Sequence, residues 1–150
     1  MTVTTGLTRL DPTLDSPLEP VGRHFRRDGH APQAARNFVA DTLVKAGADD
    51  DTVETAKLLT SELVTNAVLY ANRGQIHVSV KTTAKQAEIV VTDAGRTRAH
   101  VSTQAPAQEE EHGRGWFLVE SFSVDCGLER IPGGNGHRVR FVLDLDGGVA

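Results

Sequence analysis

Cysteine is almost absent from this chain: Cys126 stands alone among 150 residues. One cysteine cannot close an intrachain disulfide and fits a reducing compartment, so a cytoplasmic protein is expected. Aromatic residues are scarce at 5%, with one tryptophan and one tyrosine. No apolar run approaches the roughly 18 residues that a membrane span requires. The opening stretch, MTVTTGLTRLDPTLDSPLEP, holds no apolar signal-peptide core. Neither a membrane association nor secretion is therefore expected. An excess of positive charge is also missing: 16 Lys and Arg stand against 20 Asp and Glu, a formal charge of -4. That balance argues against direct nucleic-acid binding through a general basic surface. There is no G-x-x-x-x-G-K-[ST] phosphate loop and no H-E-x-x-H zinc pair. The histidines His24, His30, His77, His100, His112 and His137 are scattered without metal-ligand spacing.

What is present is a globular composition, with 39% hydrophobic and 24% charged residues, suited to one domain plus a tail. Residues 1–20 carry Pro12, Pro17 and Pro20 without any period and read as a mobile N-terminal arm. The domain is expected over 21–150. Gly22 to Arg27 reads as a short first strand. Ala31 to Gly47 reads as a helix: Pro32 suits the first turn, Ala35, Phe38, Val39, Thr42 and Leu43 fall at helical spacing, and Gly47 suits the stop. A second helix is expected from Asp51 to Tyr70, with Asp49, Asp50 and Asp51 at the positive end of its dipole. Its apolar stripe is Val53, Ala56, Leu59, Leu63, Ala67 and Tyr70.

Two strands follow. QIHVSVK alternates Ile76, Val78 and Val80 against polar neighbours, and AEIVVTD is continuous enough to be buried on both faces. Arg96 to Glu111 has no period and reads as a lid. After the GRG run, WFLVESF reads as a helix with Phe117, Val119 or Glu120, and Phe122 on its apolar face. SVDCGLER and HRVRFVLDL close the chain as strands joined by the turn-forming PGGNG. Short connections between consecutive strands imply antiparallel pairing, and helices must cover one face. The expected fold is an α/β two-layer sandwich: a mixed, mostly antiparallel sheet with its helices on one face.

Three features carry chemistry. SELVTNAV sets Glu62 and Asn66 four residues apart, on nearly one helix face and off the apolar stripe. A carboxylate can take a proton, and an amide oxygen is a hard ligand suited to Mg2+. VVTDAG places Asp93 at the end of an apolar strand. As a pure acceptor it can read an exocyclic amino group such as that of adenine, while Gly95 lets backbone approach. HGRGWF puts two glycines around Arg114 just before a helix, where freed N–H groups bind phosphate. Each feature taken alone also fits a solvated helix face, an acidic turn and a hinge.

In this order within one short domain, these motifs resemble the histidine-kinase-like ATPase superfamily, the Bergerat nucleotide fold. Within it the chain is similar to the stand-alone anti-sigma-factor serine kinases of actinobacterial type. The resemblance runs from Phe25 to Leu145 through AARNFVADTL, LLTSELVTNAV, IVVTDAG and HGRGWFLVESFSVDCGLERIPGGNGHRVRFVL. It implies ATP and Mg2+, with Asn66 holding the metal against the phosphates and Glu62 as base toward a protein serine. It implies that Asp93 recognises adenine, that Gly95 lies against the nucleotide, and that Gly113, Arg114 and Gly115 border the phosphates. It implies a sigma factor and an anti-sigma-factor antagonist as partners, and a homodimer.

The chain departs from the family pattern in three places. Leu69 and Tyr70 stand where many relatives carry a basic residue and a histidine. Thr97 replaces a glycine at the lid hinge. His137-Arg138-Val139 stands where a small hydroxyl residue often helps hold adenine. Two readings follow: an ATP-dependent serine kinase that sequesters a sigma factor, or a binding module of the same fold with little or no catalysis. A sensor histidine kinase is not expected, because the roughly 20 residues ahead of the domain are too few for a phosphoaccepting helical hairpin.

Overall fold

A computed structural model describes residues 19–71, 73–94, 111–131 and 136–145; of Arg73 and of residues 111–114 it describes the backbone alone. The elements run β1 (Val21–Phe25), α1 (Ala31–Lys45), α2 (Asp50–Tyr70), β2 (Arg73–Thr82), β3 (Gln86–Ala94), α3 (Glu111–Phe122), β4 (Asp125–Arg130) and β5 (His137–Asp144). The expected arm lies outside the described residues except for Glu19 and Pro20. The lid from Arg96 lies outside them except for its last residue, Glu111, which opens α3. The N-terminal part of PGGNG and the hinge position Thr97 also lie outside.

The two long helices form where the periodicity places them. Pro32 sits in the first turn of α1, and the helix stops at Gly47, with the Ala48 N–H returning to the Leu43 carbonyl at 3.0 Å. Helix α2 starts where Asp49 caps it: the carboxylate accepts from the Thr52 N–H at 2.8 Å, with Asp50 and Asp51 in the first turn. Its stripe of Val53, Ala56, Leu59, Leu63 and Ala67 is buried, joined by Thr60 and Val64, while Tyr70 is half-buried.

The sheet order is β1-β2-β3-β5-β4. Every pairing among the described residues is antiparallel, so the expected admixture of parallel pairs is corrected. The reason is topological: α3 carries the chain from β3 past one strand position to β4, and β5 then inserts antiparallel to both. Ile76, Val78 and Val80 of β2, Ala87, Ile89 and Val91 of β3, and Val139, Phe141 and Leu143 of β5 form one buried face with the helices. Strand β3 is buried on consecutive residues only from Ala87 to Ile89 and alternates beyond, so the expectation of two buried faces holds only for its first part.

Three boundaries differ from expectation. Strand β1 ends at Phe25, leaving Arg26 and Arg27 outside it, and β4 begins at Asp125 rather than Ser123. Helix α3 begins at Glu111, so Gly113, Arg114 and Gly115 lie inside the helix instead of preceding it. Its buried face is Trp116 and Val119. Phe117 and Phe122, expected inward, are 45% and 53% exposed. Gly115 turns toward Asn66 and Glu62 of α2. Among the described residues no helix is long and apolar enough to cross a membrane.

Candidate functional site

The candidate residues converge on one end of the sandwich. The C-terminal turn of α2 leads through Ala71 into β2, whose first residue pairs with Ala94 at the end of β3. The N-terminal half of α3 and the start of β5 reach the same end.

Glu62 and Asn66 lie four residues apart on α2, facing α3. Gly115 is the contact: a Cβ there would sit 3.2 Å from Asn66 Nδ2, 3.4 Å from Glu62 Cβ and 3.7 Å from Glu62 Oε1. A side chain there would be tight, and the Asn66 amide would have to give by a few tenths of an ångström. Asn66 is 4% exposed and Glu62 is half-buried, so the solvated-face reading fails for Asn66. A buried amide beside a carboxylate and a bare helix backbone is an arrangement for polar work, since polar groups seldom enter an interior without a partner or a task.

Asp93 continues the core-facing row of β3 after Ala87, Ile89 and Val91, and is 4% exposed. Its Oδ1 accepts the backbone N–H of His137 at 3.2 Å, and the His137 ring Nδ1 lies 4.0 Å from the same oxygen. His137 is 2% exposed. Gly136 presses onto this corner: its φ is 146°, and a Cβ there would lie 2.0 Å from the Asp93 carbonyl oxygen. No other residue fits that position without moving the strand. The acidic-turn alternative is thereby corrected, since Asp93 belongs to the strand and is buried.

The structure thus brings together Glu62, Asn66 and Gly115, and separately Asp93 with His137 and Gly136. The backbones of Gly113 and Arg114 lie in the first turn of α3. Gly95 lies outside the described residues. The Asp93–His137 contact escaped the sequence reading. Its signal is the register, because pairing of Thr92 with Arg138 sets Asp93 against His137. The histidines were not all isolated either: His24 and His77 face each other across β1 and β2, with ring centroids 4.6 Å apart.

The residues present fit a nucleotide with Mg2+. Asn66 offers an amide oxygen in a cradle that a side chain on Gly115 would fill, and Asp93 offers a carboxylate fixed at a strand end. Among the described residues no group of three or more His, Cys, Asp or Glu is placed to hold a metal.

Comparison with known proteins matches the histidine kinase-like ATPase domain to residues 26–143. The serine-protein kinase RsbW of Staphylococcus aureus is 32% identical, over 59% of this chain and 65% of that protein. RsbW of the Newman strain is 34% identical over the same shares. The chain spans 65% of the length of these curated relatives. Among solved structures, the RsbU and RsbW domains of a Mycobacterium tuberculosis protein superpose with a TM-score of 0.65 at 17% identity, covering 85% of this chain and 33% of the other. At that identity the likeness concerns the fold. With a match spanning most of its length, this chain belongs to the histidine kinase-like ATPase domain family.

Proposed function

We propose that the protein binds ATP and phosphorylates a serine of an anti-sigma-factor antagonist, and that it sequesters a sigma factor in the cytoplasm, as a homodimer. The observation that carries the reading is the meeting of Glu62 and Asn66 with the bare backbone of Gly115. The similarity to serine-protein kinases RsbW supports the choice of acceptor.

In this reading Asp93 accepts from the adenine amino group and orients the base. Gly113, Arg114 and Gly115 border the phosphates, where the first turn of α3 offers N–H groups without an intrahelical partner. Asn66 would hold Mg2+, which offsets phosphate charge. Glu62 positions the acceptor serine and takes its hydroxyl proton. The serine oxygen then bonds to the terminal phosphorus, the bond to the bridging oxygen breaks, and ADP leaves. Phosphoryl transfer needs positioning and charge compensation more than covalent chemistry from the protein, which suits a site with so few reactive groups.

The binding-module reading is favoured by one observation: Leu69, standing where relatives carry charge, is 63% exposed and offers nothing to a phosphate. Incubation with labelled ATP and each antagonist-type protein of the same cell separates the two. Asn66→Ala should weaken Mg-ATP binding and abolish transfer. Glu62→Gln should leave binding intact and slow transfer by roughly 10²–10⁴-fold. A wild type that labels no antagonist but binds a sigma factor would establish the binding module instead.

A further inference from the structure

Strand β1 is an edge strand, exposed from Val21 to His24 and paired with β2 alone. The register sets His24 directly opposite His77. Directly opposed residues of an antiparallel pair share one face, with Cβ atoms about 4.5–5.5 Å apart. The next pair along, Phe25 and Ile76, belongs to the core, so the two histidines stand on the face away from the helices.

Their ring centroids are 4.6 Å apart, with the planes inclined at 52°. Two imidazole nitrogens sharing one tetrahedral ion at about 2.0–2.1 Å each would lie roughly 3.3 Å apart, a spacing that small ring rotations reach from here. Gly22 keeps the place open. It lies on the same face as His24, and a Cβ there would sit 2.7 Å from His77 Nε2. That nitrogen therefore rests against bare backbone of the edge strand. The paired positions beside His77 on this face carry Ser79 and Thr92, which are uncharged. Burial, and His24 beside it, lower the His77 imidazole below its ordinary value, so at neutral pH it holds the unprotonated form that a metal takes.

We propose that His24 and His77 form a two-imidazole site for a divalent transition ion, with water completing its coordination, and that the ion clasps the first strand to the sheet. Imidazole suits Zn2+, Ni2+ and Cu2+ and not Mg2+, so this ion is distinct from the one a nucleotide would bring. Among the described residues no group of three His, Cys, Asp or Glu is placed to hold a metal, so the ion has two protein ligands and exchanges readily. The bond across the pair acts where the sheet is held from one side only.

The test is a calorimetric titration of the whole chain with Zn2+ and with Cu2+, in excess Mg2+ and without nucleotide. One equivalent should bind, Cu2+ more tightly than Zn2+, and the melting temperature should rise with ion concentration. His24→Gln or His77→Gln alone should lose about 10²-fold in affinity, because the second imidazole acts as an intramolecular ligand. His24 is exposed, so His24→Gln should melt like wild type without the ion. His30→Gln, which removes another exposed histidine, should bind like wild type. A wild type that binds neither ion, or an affinity unchanged in His24→Gln, would overturn the site and leave the two rings as packing between strands. Half an equivalent bound with a doubled mass would overturn the clasp, because the ion would then join two chains.

Discussion

The two faces of the sheet obey different rules. On the face toward the helices, Ile76, Val78, Val80, Ile89, Val91, Val139 and Phe141 alternate out of their strands into one apolar layer. On the other face the same strands present Glu88, Val90 and Thr92 from β3, Arg138, Arg140 and Val142 from β5, and Asp125 and Glu129 from β4. Alternation would leave this second face wet, yet Glu88 is 1% exposed, Arg140 2% and Glu129 4%. The charges are paired instead. Arg140 donates to Asp125 Oδ2 at 2.9 Å and lies 3.8 Å from Glu88 Oε2, while Arg138 donates to Glu129 Oε1 at 2.9 Å. Gly127 lies directly across from Arg140. Apolar alternation thus identifies the face that meets the helices, but polar residues on the opposite face are not thereby solvated.

The largest expected effect breaks the apolar face. Phe141 is fully buried at its centre, and Phe141→Ala should cost about 3–5 kcal/mol in a denaturant titration, through lost transfer energy and a cavity. On the charged face, Arg140→Ala should cost about 3 kcal/mol, because Glu88 is left buried without its cation. Replacing both partners, Glu88→Leu with Arg140→Met, should recover most of that loss. A double variant as unstable as Arg140→Ala would mean that Arg140 acts mainly through Asp125.

The smallest effects are pH-dependent. Burial pushes the Glu88 carboxyl above its ordinary value, partly opposed by Arg140. Its folded form therefore disfavours ionisation, and its contribution to stability is full below the ordinary carboxylate range and lost as pH rises through the folded value. Glu88→Gln should gain on wild type as pH rises above the ordinary carboxylate range. His77 behaves oppositely in sign, its imidazole lowered by burial and by His24. Stability from a neutral His77 should be present above about pH 6.5 and fall as acid protonates the unfolded chain first. His77→Gln should flatten that acid limb. An unchanged limb would place the proton uptake on another histidine.

Much of the fold was legible because local rules govern it. Pro32, Gly47 and the acids before α2 mark helix ends, and period-two rows in β2 and β5 mark a helix-facing side. Less of the site was legible. Glu62 and Asn66 were visible as a helix pair, but the burial of Asn66 depends on how closely α3 approaches. The start of α3 was misplaced because glycines read as loop, whereas here they are the contact surface of a helix. Helical spacing alone points Phe117 and Phe122 inward, whereas they are exposed.

By itself the sequence determined the elements, their order and the apolar side of α1, α2 and β2, because those depend on neighbours within a turn or two. The tertiary structure alone decided that Gly115 meets Asn66, that Arg140 lies between Glu88 and Asp125, and that His137 joins Asp93 across 44 residues of chain. Those contacts follow from strand order and register, and no local propensity encodes which distant strand a residue will face.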